Sequence, residues 1–366
     1  MKITEVTTLM LHNPDAPHVQ DGTIPDFKPG SKGRSQLFVY VKTDEGITGL
    51  GMNSGVPATR TVIDRAFKDI LIGQDPFNIE KLWDDMYWRV RGYGRKGVAI
   101  EAIAAIDIAL WDLKGKALGI PLHKLIGGFR EEVPGYGSGG WTHYTEKQLV
   151  AEMTAYVDDG YPRIKMKVGK NFGKSEDLDI ARVKAVRKAV GDDIEIFVDA
   201  NWAYYSKQAI RMSKAFEEFG VAWFEEPTTA EDIDGLRAIR EATNIPVASG
   251  ELEHTKFGFK ELIARGGVDI AQPDVGRVGG VTEWLKATHI AAAYNIPVAP
   301  HSFPQLHVPL CAATPNLKVI EAFRPEHTLD FWFVDYPKHK NGMFKPFDRP
   351  GHGLELNPVS VKKHAV

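Results

Sequence analysis

Three carboxylates follow short apolar runs in the second half of the chain, and their spacing is constant. The acids are Asp199, Glu225 and Glu251, and successive ones are 26 residues apart. That distance accommodates one strand, one crossover helix and two short loops. If each unit is strand–loop–helix, the strands are parallel and their C-terminal ends lie on one face. The three carboxylates would then converge, and such an oxygen cluster is suited to a hard divalent cation, best Mg²⁺.

Size and composition narrow the class of protein further. At 366 residues the chain is long enough for two domains. A net charge of −3 gives no electrostatic argument for nucleic acid or an anionic membrane as a partner. The single cysteine, Cys311, excludes an intrachain disulfide and suits a reducing compartment. We find no signal peptide in the first residues, and we therefore expect a cytoplasmic protein.

From residue 132 onward, short apolar runs alternate with helical stretches. The candidate strands are residues 133–136, 163–168, 194–198, 221–224, 246–248, 268–271, 297–299 and 317–320. Eight strands alternating with helices favour an α/β fold of the TIM (β/α)-barrel type over an open doubly wound sheet. Before them, a strand at 3–11, a hairpin around Thr43-Asp44-Glu45-Gly46 and three helices over 58–118 predict an α+β domain.

These patterns divide the chain into three predicted parts: an N-terminal α+β domain over 1–127, a barrel over 128–323, and a tail over 324–366 that packs on the N-terminal domain. Residues of about 12–35 are rich in Pro, Asp, Lys and Gly and show no periodicity. A loop of that length is usually functional or disordered. We interpret it as a lid over an active site, with a surface excursion as the alternative.

Ionisable residues stand at seven successive predicted strand ends, the ends that face the active site of a barrel. In chain order they are Lys165 with Lys167, Asp199, Glu225, Glu251, Asp274, His301 and Glu321.

In Lys165-Met166-Lys167 the alternation directs both ammonium groups to one side of the strand. Two like charges near a metal predict a lowered lysine pKa, as a base requires. Asp274 is placed to accept the ring N–H of His301 and raise the imidazole pKa. The alternatives are a solvated lysine pair and a structural histidine.

The ordered motif set resembles the mandelate racemase subgroup of the enolase superfamily. The motifs are Lys165-Met166-Lys167, Val198-Asp199-Ala200-Asn201, Trp223-Phe224-Glu225-Glu226-Pro227, Gly250-Glu251, Gln272-Pro273-Asp274, Pro300-His301 and Glu321. The resemblance covers essentially the whole chain. It implies a modified barrel beneath a capping domain that is formed by the N-terminal segment and the C-terminal tail. It also implies one Mg²⁺ on Asp199, Glu225 and Glu251, and assembly into a homo-oligomer.

The same resemblance implies a reaction. A base removes the proton α to a substrate carboxylate and produces an enediolate, which Lys165 helps to stabilise. Lys167 is the implied base on one face and His301, paired with Asp274, acts on the other. Glu321 is implied to hydrogen-bond the substrate carboxylate, and Asn201 to be a nearby polar contact.

The sequence constrains the substrate and the final product of this reaction less closely than the proton-transfer step. The commoner activity in the resembling subgroup is loss of water from an acid sugar, an aldonate or aldarate, to a 2-keto-3-deoxy acid. The alternatives are a racemase or epimerase of a 2-hydroxy acid, and a cycloisomerase of muconate or sugar-lactone type. A barrel that binds metal and acid without chemistry would not need all of Lys167, His301 and Glu321. Polar side chains in and near the lid suit sugar hydroxyls, and we take Lys28, Arg34 and Trp141 as candidate substrate contacts.

Overall fold

The structure is a computed structural model that describes residues 1–17, 19–23, 33–328 and 330–366. Its N-terminal sheet has three antiparallel strands in the order β1-β2-β3. The strands are β1 Ile3–Asn13, β2 Arg34–Thr43 and β3 Thr48–Ser54. The predicted hairpin is confirmed: it turns at Gly46, whose φ of +78° favours glycine. Part of the predicted lid, including Lys28, lies outside the described residues.

A group of helices packs on this sheet. They are α1 Pro57–Val62, a π-helical turn Ile63–Phe67, α2 Lys68–Leu71, α3 Ile79–Val90, α4 Val98–Leu118 and α5 Leu122–Leu125. Helix α4 is buried along most of its length and is capped at its C-terminus by Gly119 in the left-handed conformation. Gly51 allows β3 to approach it, since a Cβ there would lie 1.9 Å from the carbonyl oxygen of Ala105. Among the described residues, no helix combines the length and the apolar character that crossing a bilayer requires.

The second sheet is a closed parallel barrel. Its strands are β4 Val133–Gly139, β5 Arg163–Lys167, β6 Glu195–Asp199, β7 Val221–Glu225, β8 Val247–Ser249, β9 Ile270–Ala271 and β10 Ile320–Phe323. Adjacent strands pair in chain order, and β10 closes the ring by pairing in parallel with β4. The barrel expectation is therefore confirmed.

Two strand predictions near the end of the barrel need correction. At the seventh position only Val298 bridges its neighbours, Ala271 and Leu317. Pro297 and Pro300 flank it, and proline has no N–H to extend a ladder. The eighth strand begins at Ile320 and not at residue 317, because the chain pairs with Val298 before it turns to β4.

Helices fill the connections between the barrel strands. They are α6 Glu146–Asp158, α7 Glu176–Val190, α8 Ser206–Glu217, α9 Ile233–Ala242, α10 Thr255–Ala264, α11 Val275–Val278, α12 Val281–Ala293 and α13 Pro304–Ala312. Inside the barrel, a small cluster of buried side chains forms a floor, consisting of Tyr136, Phe197, Trp223, Ala248, Ile270, Ala299 and Val319. Phe197 and Trp223 stack with ring centroids 3.7 Å apart. Because strand side chains alternate with a period of two, Asp199 and Glu225 point inward directly above these two rings.

The last 40 or so residues contact both layers. They contain β11 His339–Lys340, β12 Met343–Phe344 and α14 Pro358–His364. Strand β12 pairs antiparallel with the start of β4. Buried His352 Nε2 lies 2.7 Å from the carbonyl oxygen of Leu50 on β3, and Asp112 of α4 accepts the backbone N–H groups of both residues. These hydrogen bonds, which we call the His352 joint, link the tail to the N-terminal sheet.

Replacing His352 with leucine should therefore destabilise the protein. The change leaves the Leu50 carbonyl and the N–H of Leu354, which donates to His352 Nδ1, without partners. Each unsatisfied buried group costs about 1–3 kcal/mol. Urea unfolding would show a lower midpoint at an unchanged slope. His289→Leu, at an exposed position of α12, is the matched control. Equal midpoints for the two variants would mean that the joint contributes nothing to stability.

Candidate active site

Strand register brings the two lysines and two of the carboxylates together. Cα pairing aligns Lys167 of β5 with Asp199 of β6, and Asp199 with Glu225 of β7. Each of these residues is the last of its strand, so their side chains meet at the C-terminal rim of the barrel. All three side chains are buried, as is Lys165, two residues earlier on the same side of β5. The predicted convergence is observed for this part of the site.

The ammonium groups lie among the carboxylates. Lys165 Nζ hydrogen-bonds Glu225 Oε1, lies 2.8 Å from Glu321 Oε1 and lies 3.6 Å from Asp199 Oδ2. Lys167 Nζ also hydrogen-bonds Asp199 Oδ2. One carboxylate oxygen thus contacts both lysines, which places their charges on the same face of β5 as the alternation predicts.

This arrangement controls the protonation of the lysines. Burial alone would lower the pKa of Lys165, but the charges of Glu225 and Glu321 outweigh it, and that pKa is well above its usual value. For Lys167, burial is likewise outweighed, here by Asp199, and its pKa is raised. Both pKa values are raised because three carboxylates face two ammonium groups. The predicted lowering of a lysine pKa presupposes a cation bound among these carboxylates and stays a prediction.

Glu321 is held in a defined orientation. It lies within β10, opposite Tyr136 of β4, and not after the eighth strand as the sequence suggested. The hydroxyl of Ser138 donates to its Oε1 at 2.7 Å, and the backbone N–H of Ser302 donates to its Oε2 at 2.7 Å. Burial would raise the pKa of Glu321, yet Lys165 and His301 hold it well below its usual range. Ser138 and Ser302 were not singled out from the sequence, because a serine beside a strand carries no distinguishing pattern.

The predicted histidine–aspartate pair is present. His301 Nδ1 lies 2.7 Å from Asp274 Oδ2, and the other oxygen of Asp274 accepts the backbone N–H of Gly276 at 2.7 Å. Burial would raise the pKa of Asp274, but the hydrogen bond and charge of His301 lower it. With Nδ1 held in this way, Nε2 faces the carboxylates and lies 3.5 Å from Glu251 Oε2. Lys167 is thus on the Asp199 side of the cluster and His301 on the Glu251 side.

Arg277 is a residue of this site that sequence reasoning missed. Its Nη1 donates to Glu251 Oε1 at 2.9 Å, and its Nε lies 3.9 Å from Asp274 Oδ2. It therefore links a candidate metal ligand to the carboxylate that orients His301. A basic residue three positions after Asp274 in the sequence, on the same side of a short helix, was the available signal.

The oxygen atoms left over in the cluster fit a hard cation. In the described part of the chain, no donor hydrogen-bonds Glu225 Oε2 or Glu251 Oε2, although both atoms are buried. Asp199 Oδ1 accepts the backbone N–H of Asn201 at 2.9 Å. Among the described residues, no three acidic, histidine or cysteine side chains are close enough to bind one metal ion together. In this cluster the ammonium groups of Lys165 and Lys167 lie between the carboxylates. Buried carboxylate oxygens without donors are the ligands that Mg²⁺ prefers.

Asn201 lies beside this cluster in an unusual backbone conformation. Its φ is +41°, and the side-chain oxygen is buried without a hydrogen-bond partner among the described residues. Glu226, next to Glu225, also has positive φ. Burial and the charge of Glu251 raise the pKa of Glu226 well above its usual value. Strained backbone of this kind is concentrated at functional sites.

A cavity of about 590 Å³ lies over the site. His301, Trp141 and Arg34 line it, together with Glu101 and Arg277. Lys167 Nζ lies 5.6 Å from the centre of the Trp141 ring, so the lysine is adjacent to an indole that lines the cavity. Lys28, the remaining candidate substrate contact, lies outside the described residues. A larger cavity of about 1080 Å³ adjoins the loops after β5 and β6 but is lined by none of the candidate catalytic residues.

Comparisons with known proteins agree with this arrangement. Residues 30–127 match the N-terminal domain model of mandelate racemase and muconate lactonizing enzyme, and residues 148–360 match the enolase C-terminal domain-like model. The chain is 36% identical to 3,6-anhydro-alpha-L-galactonate cycloisomerase of Streptomyces coelicolor, over 90% of this chain and 91% of that protein. It is 35% identical to L-talarate/galactarate dehydratase of Salmonella typhimurium, over 88% and 80%. A racemase structure from Streptomyces coelicolor with bound magnesium superposes with a TM-score of 0.92 at 33% identity, covering all of both chains.

Proposed function

The chain belongs to the mandelate racemase and muconate lactonizing enzyme family of the enolase superfamily, and on that premise we propose that it dehydrates an acid sugar to a 2-keto-3-deoxy acid. Relatives of this family that it matches are acid sugar dehydratases and cycloisomerases, which supports an enzyme of lyase or isomerase type. The observation that carries the proposal is the pair of proton-transfer groups, Lys167 and His301–Asp274, on two sides of one carboxylate cluster.

Magnesium is the cofactor we propose, held by Asp199, Glu225 and Glu251. A magnesium-bound neighbour supports this choice, as do the donor-free oxygens of Glu225 and Glu251. When bound, such an ion supplies Lewis-acid polarisation of the substrate carboxylate and a positive charge that opposes protonation of Lys167.

The residues of the chain divide the remaining work. The substrate carboxylate lies against Lys165 and beside Glu321, whose orientation is set by Ser138 and Ser302. The negative charge of the substrate carboxylate favours the protonated form of Glu321, which can then donate a hydrogen bond to it. Lys165 stabilises the negative charge that develops on that carboxylate as the α-proton leaves. Neutral Lys167 takes the proton from one face of the α-carbon. Arg277 keeps Glu251 in place beside His301.

Elimination completes the reaction. His301, protonated on Nε2 and oriented by Asp274 at Nδ1, donates a proton to the β-hydroxyl as its C–O bond breaks. Water leaves, the electron pair of the enediolate forms the new C=C bond, and the resulting enol tautomerises to the 2-keto acid. Lys167 gains one proton and His301 loses one, so the reaction takes up and releases no net proton. Substrate bound in the cavity that Trp141 and Arg34 line displaces water from it during these steps.

The same two proton-transfer groups allow other outcomes. Reprotonation of the intermediate by His301 on the opposite face gives a racemase or epimerase. Transfer of the proton to a ring carbon or ring oxygen of a cyclic substrate gives a cycloisomerase, the activity named for one of the relatives above. We favour dehydration as the commoner activity of the subgroup that the motifs resemble. Polar side chains among the cavity lining, including Ser54, Gln36 and Thr328, suit the hydroxyls of an acid sugar.

A screen of acid sugars separates these outcomes. We expect the purified protein with Mg²⁺ to convert at least one aldonate or aldarate to a 2-keto-3-deoxy acid, detected as its semicarbazone. Proton NMR in D₂O on the same reactions identifies competing chemistry. A C2 epimer with deuterium at C2 and no keto product would establish a racemase, and ring opening without keto product would establish a cycloisomerase; either result contradicts dehydration.

A further inference from the structure

A half-buried guanidinium lines the active-site cavity and has no acidic partner among the described residues. Arg34 begins β2, opposite Asn13 of β1, and its side chain lines the same cavity as His301 and Trp141. One of its nitrogen atoms, Nη1, donates to the backbone carbonyl of His327 at 2.7 Å. Burial lowers the pKa of Arg34, although a guanidinium remains charged in proteins. The charge therefore faces the cavity with only a neutral hydrogen-bond acceptor beside it.

The other charged residues of the cavity differ from Arg34 in this respect. Arg277 is paired with Glu251 at 2.9 Å. Glu101 accepts a hydrogen bond from Ser54 at 3.1 Å, and burial raises its pKa, which favours the neutral acid. Within the described residues, Arg34 forms no ion pair with any carboxylate, and burial is the sole cause of its pKa shift. Partial burial of a cation without an anionic partner is unfavourable, and an anion that enters the cavity would offset that cost.

The anion cannot be the carboxylate that reacts. In the proposed function, that group lies at the C-terminal rim of the barrel against Lys165 and Glu321, which are both buried. Arg34 belongs instead to the N-terminal sheet, on the wall of the cavity that the rest of the substrate would reach. A planar guanidinium binds a carboxylate through two parallel hydrogen bonds, and Arg34 has nitrogen atoms to spare after its bond to His327.

We propose that the substrate is a sugar diacid, an aldarate, and that Arg34 binds its distal carboxylate. This inference rests on the proposed function and specifies its substrate class. The distal carboxylate neutralises a charge that a terminal hydroxymethyl group of an aldonate leaves uncompensated. Arg34 is then the residue that distinguishes diacids from monoacids of the same configuration.

Matched pairs of substrates test the proposal directly. Galactarate with galactonate, and glucarate with gluconate, share their stereocentres within each pair and differ at one terminal carbon. With Mg²⁺ present, we expect kcat/KM for the preferred diacid to exceed that of its monoacid by about 30-fold or more. Arg34→Gln should remove most of that preference by lowering kcat/KM on the diacid alone. Arg34→Lys keeps the charge without the two-pronged geometry and should fall between the two.

Arg60→Gln is the matched control, since Arg60 is exposed on α1 of the same layer. Thermal unfolding of each variant checks that the fold is intact. A preference for monoacids, or an equal loss on both classes in Arg34→Gln, would overturn the inference while leaving dehydration in place. If no acid is turned over, the proposed function fails, and calorimetric binding of the same pairs with Mg²⁺ decides the inference alone. Tighter binding of diacids that depends on Arg34 supports it, and equal or absent binding refutes it.

Discussion

Replacing His301 with asparagine is expected to lower kcat by about 10²–10⁴-fold, the range that a positioned acid or base contributes. Asparagine is similar in size and can still hydrogen-bond Asp274, but it cannot exchange a proton at the position of Nε2. The affinity for Mg²⁺ should change little, because His301 touches Glu251 only at 3.5 Å. Steady-state kinetics on the best acid sugar, with calorimetric titration of Mg²⁺, measures both quantities.

An isotope experiment assigns the face on which His301 acts. In D₂O, His301→Asn should lose exchange of the α-proton in one C2 epimer of the substrate, and Lys167→Met should lose it in the other. His289→Asn, at an exposed position, serves as the matched control and should behave as wild type. Turnover of His301→Asn close to that of the control would mean that the His301–Asp274 pair is structural.

Replacing Glu225 with glutamine is expected to abolish activity through loss of the metal. Removal of groups that merely support metal ligands costs about 10–100-fold in affinity, so loss of a ligand should weaken Mg²⁺ binding by more than about 100-fold. In the wild type, Mg²⁺ at about 100 times its dissociation constant should stabilise the fold by about 2.7 kcal/mol and raise Tm. The variant should show neither the Tm increase nor a measurable binding heat at the same concentration.

Glu218→Gln provides the control, because Glu218 is exposed at the end of α8, outside the site. Its Mg²⁺ affinity and Tm increase should equal those of the wild type. Chelation with EDTA should reproduce the activity loss of Glu225→Gln in the wild type, and added Mg²⁺ should reverse it. An unchanged Mg²⁺ affinity in Glu225→Gln would contradict the assignment of Glu225 as a ligand.

Much of this site was predictable because the relevant information is local in the chain. Alternation along a strand places Lys165 and Lys167 on one side, and the 26-residue spacing places Asp199, Glu225 and Glu251 at equivalent ends of successive strands. The pairing of His301 with Asp274 follows from their positions on neighbouring barrel units. Each of these inferences needs only the period of a strand and the parallel direction of a βα repeat.

What the sequence alone did not determine depends on distances between segments far apart in the chain. The carboxylates around Lys165 are an example: Glu321, about 155 residues later, reaches Lys165 only when β10 closes the barrel on β4. The link from Arg277 to Glu251 and the exposure of the Arg34 guanidinium to the cavity arise in the same way. Side-chain electrostatics depend on which charges lie within a few ångströms, and only tertiary packing sets those neighbours. The repeats of the chain thus determined which ionisable residues stand at the barrel rim, whereas the packing of the N-terminal sheet over that rim placed the Arg34 guanidinium in the wall of the cavity.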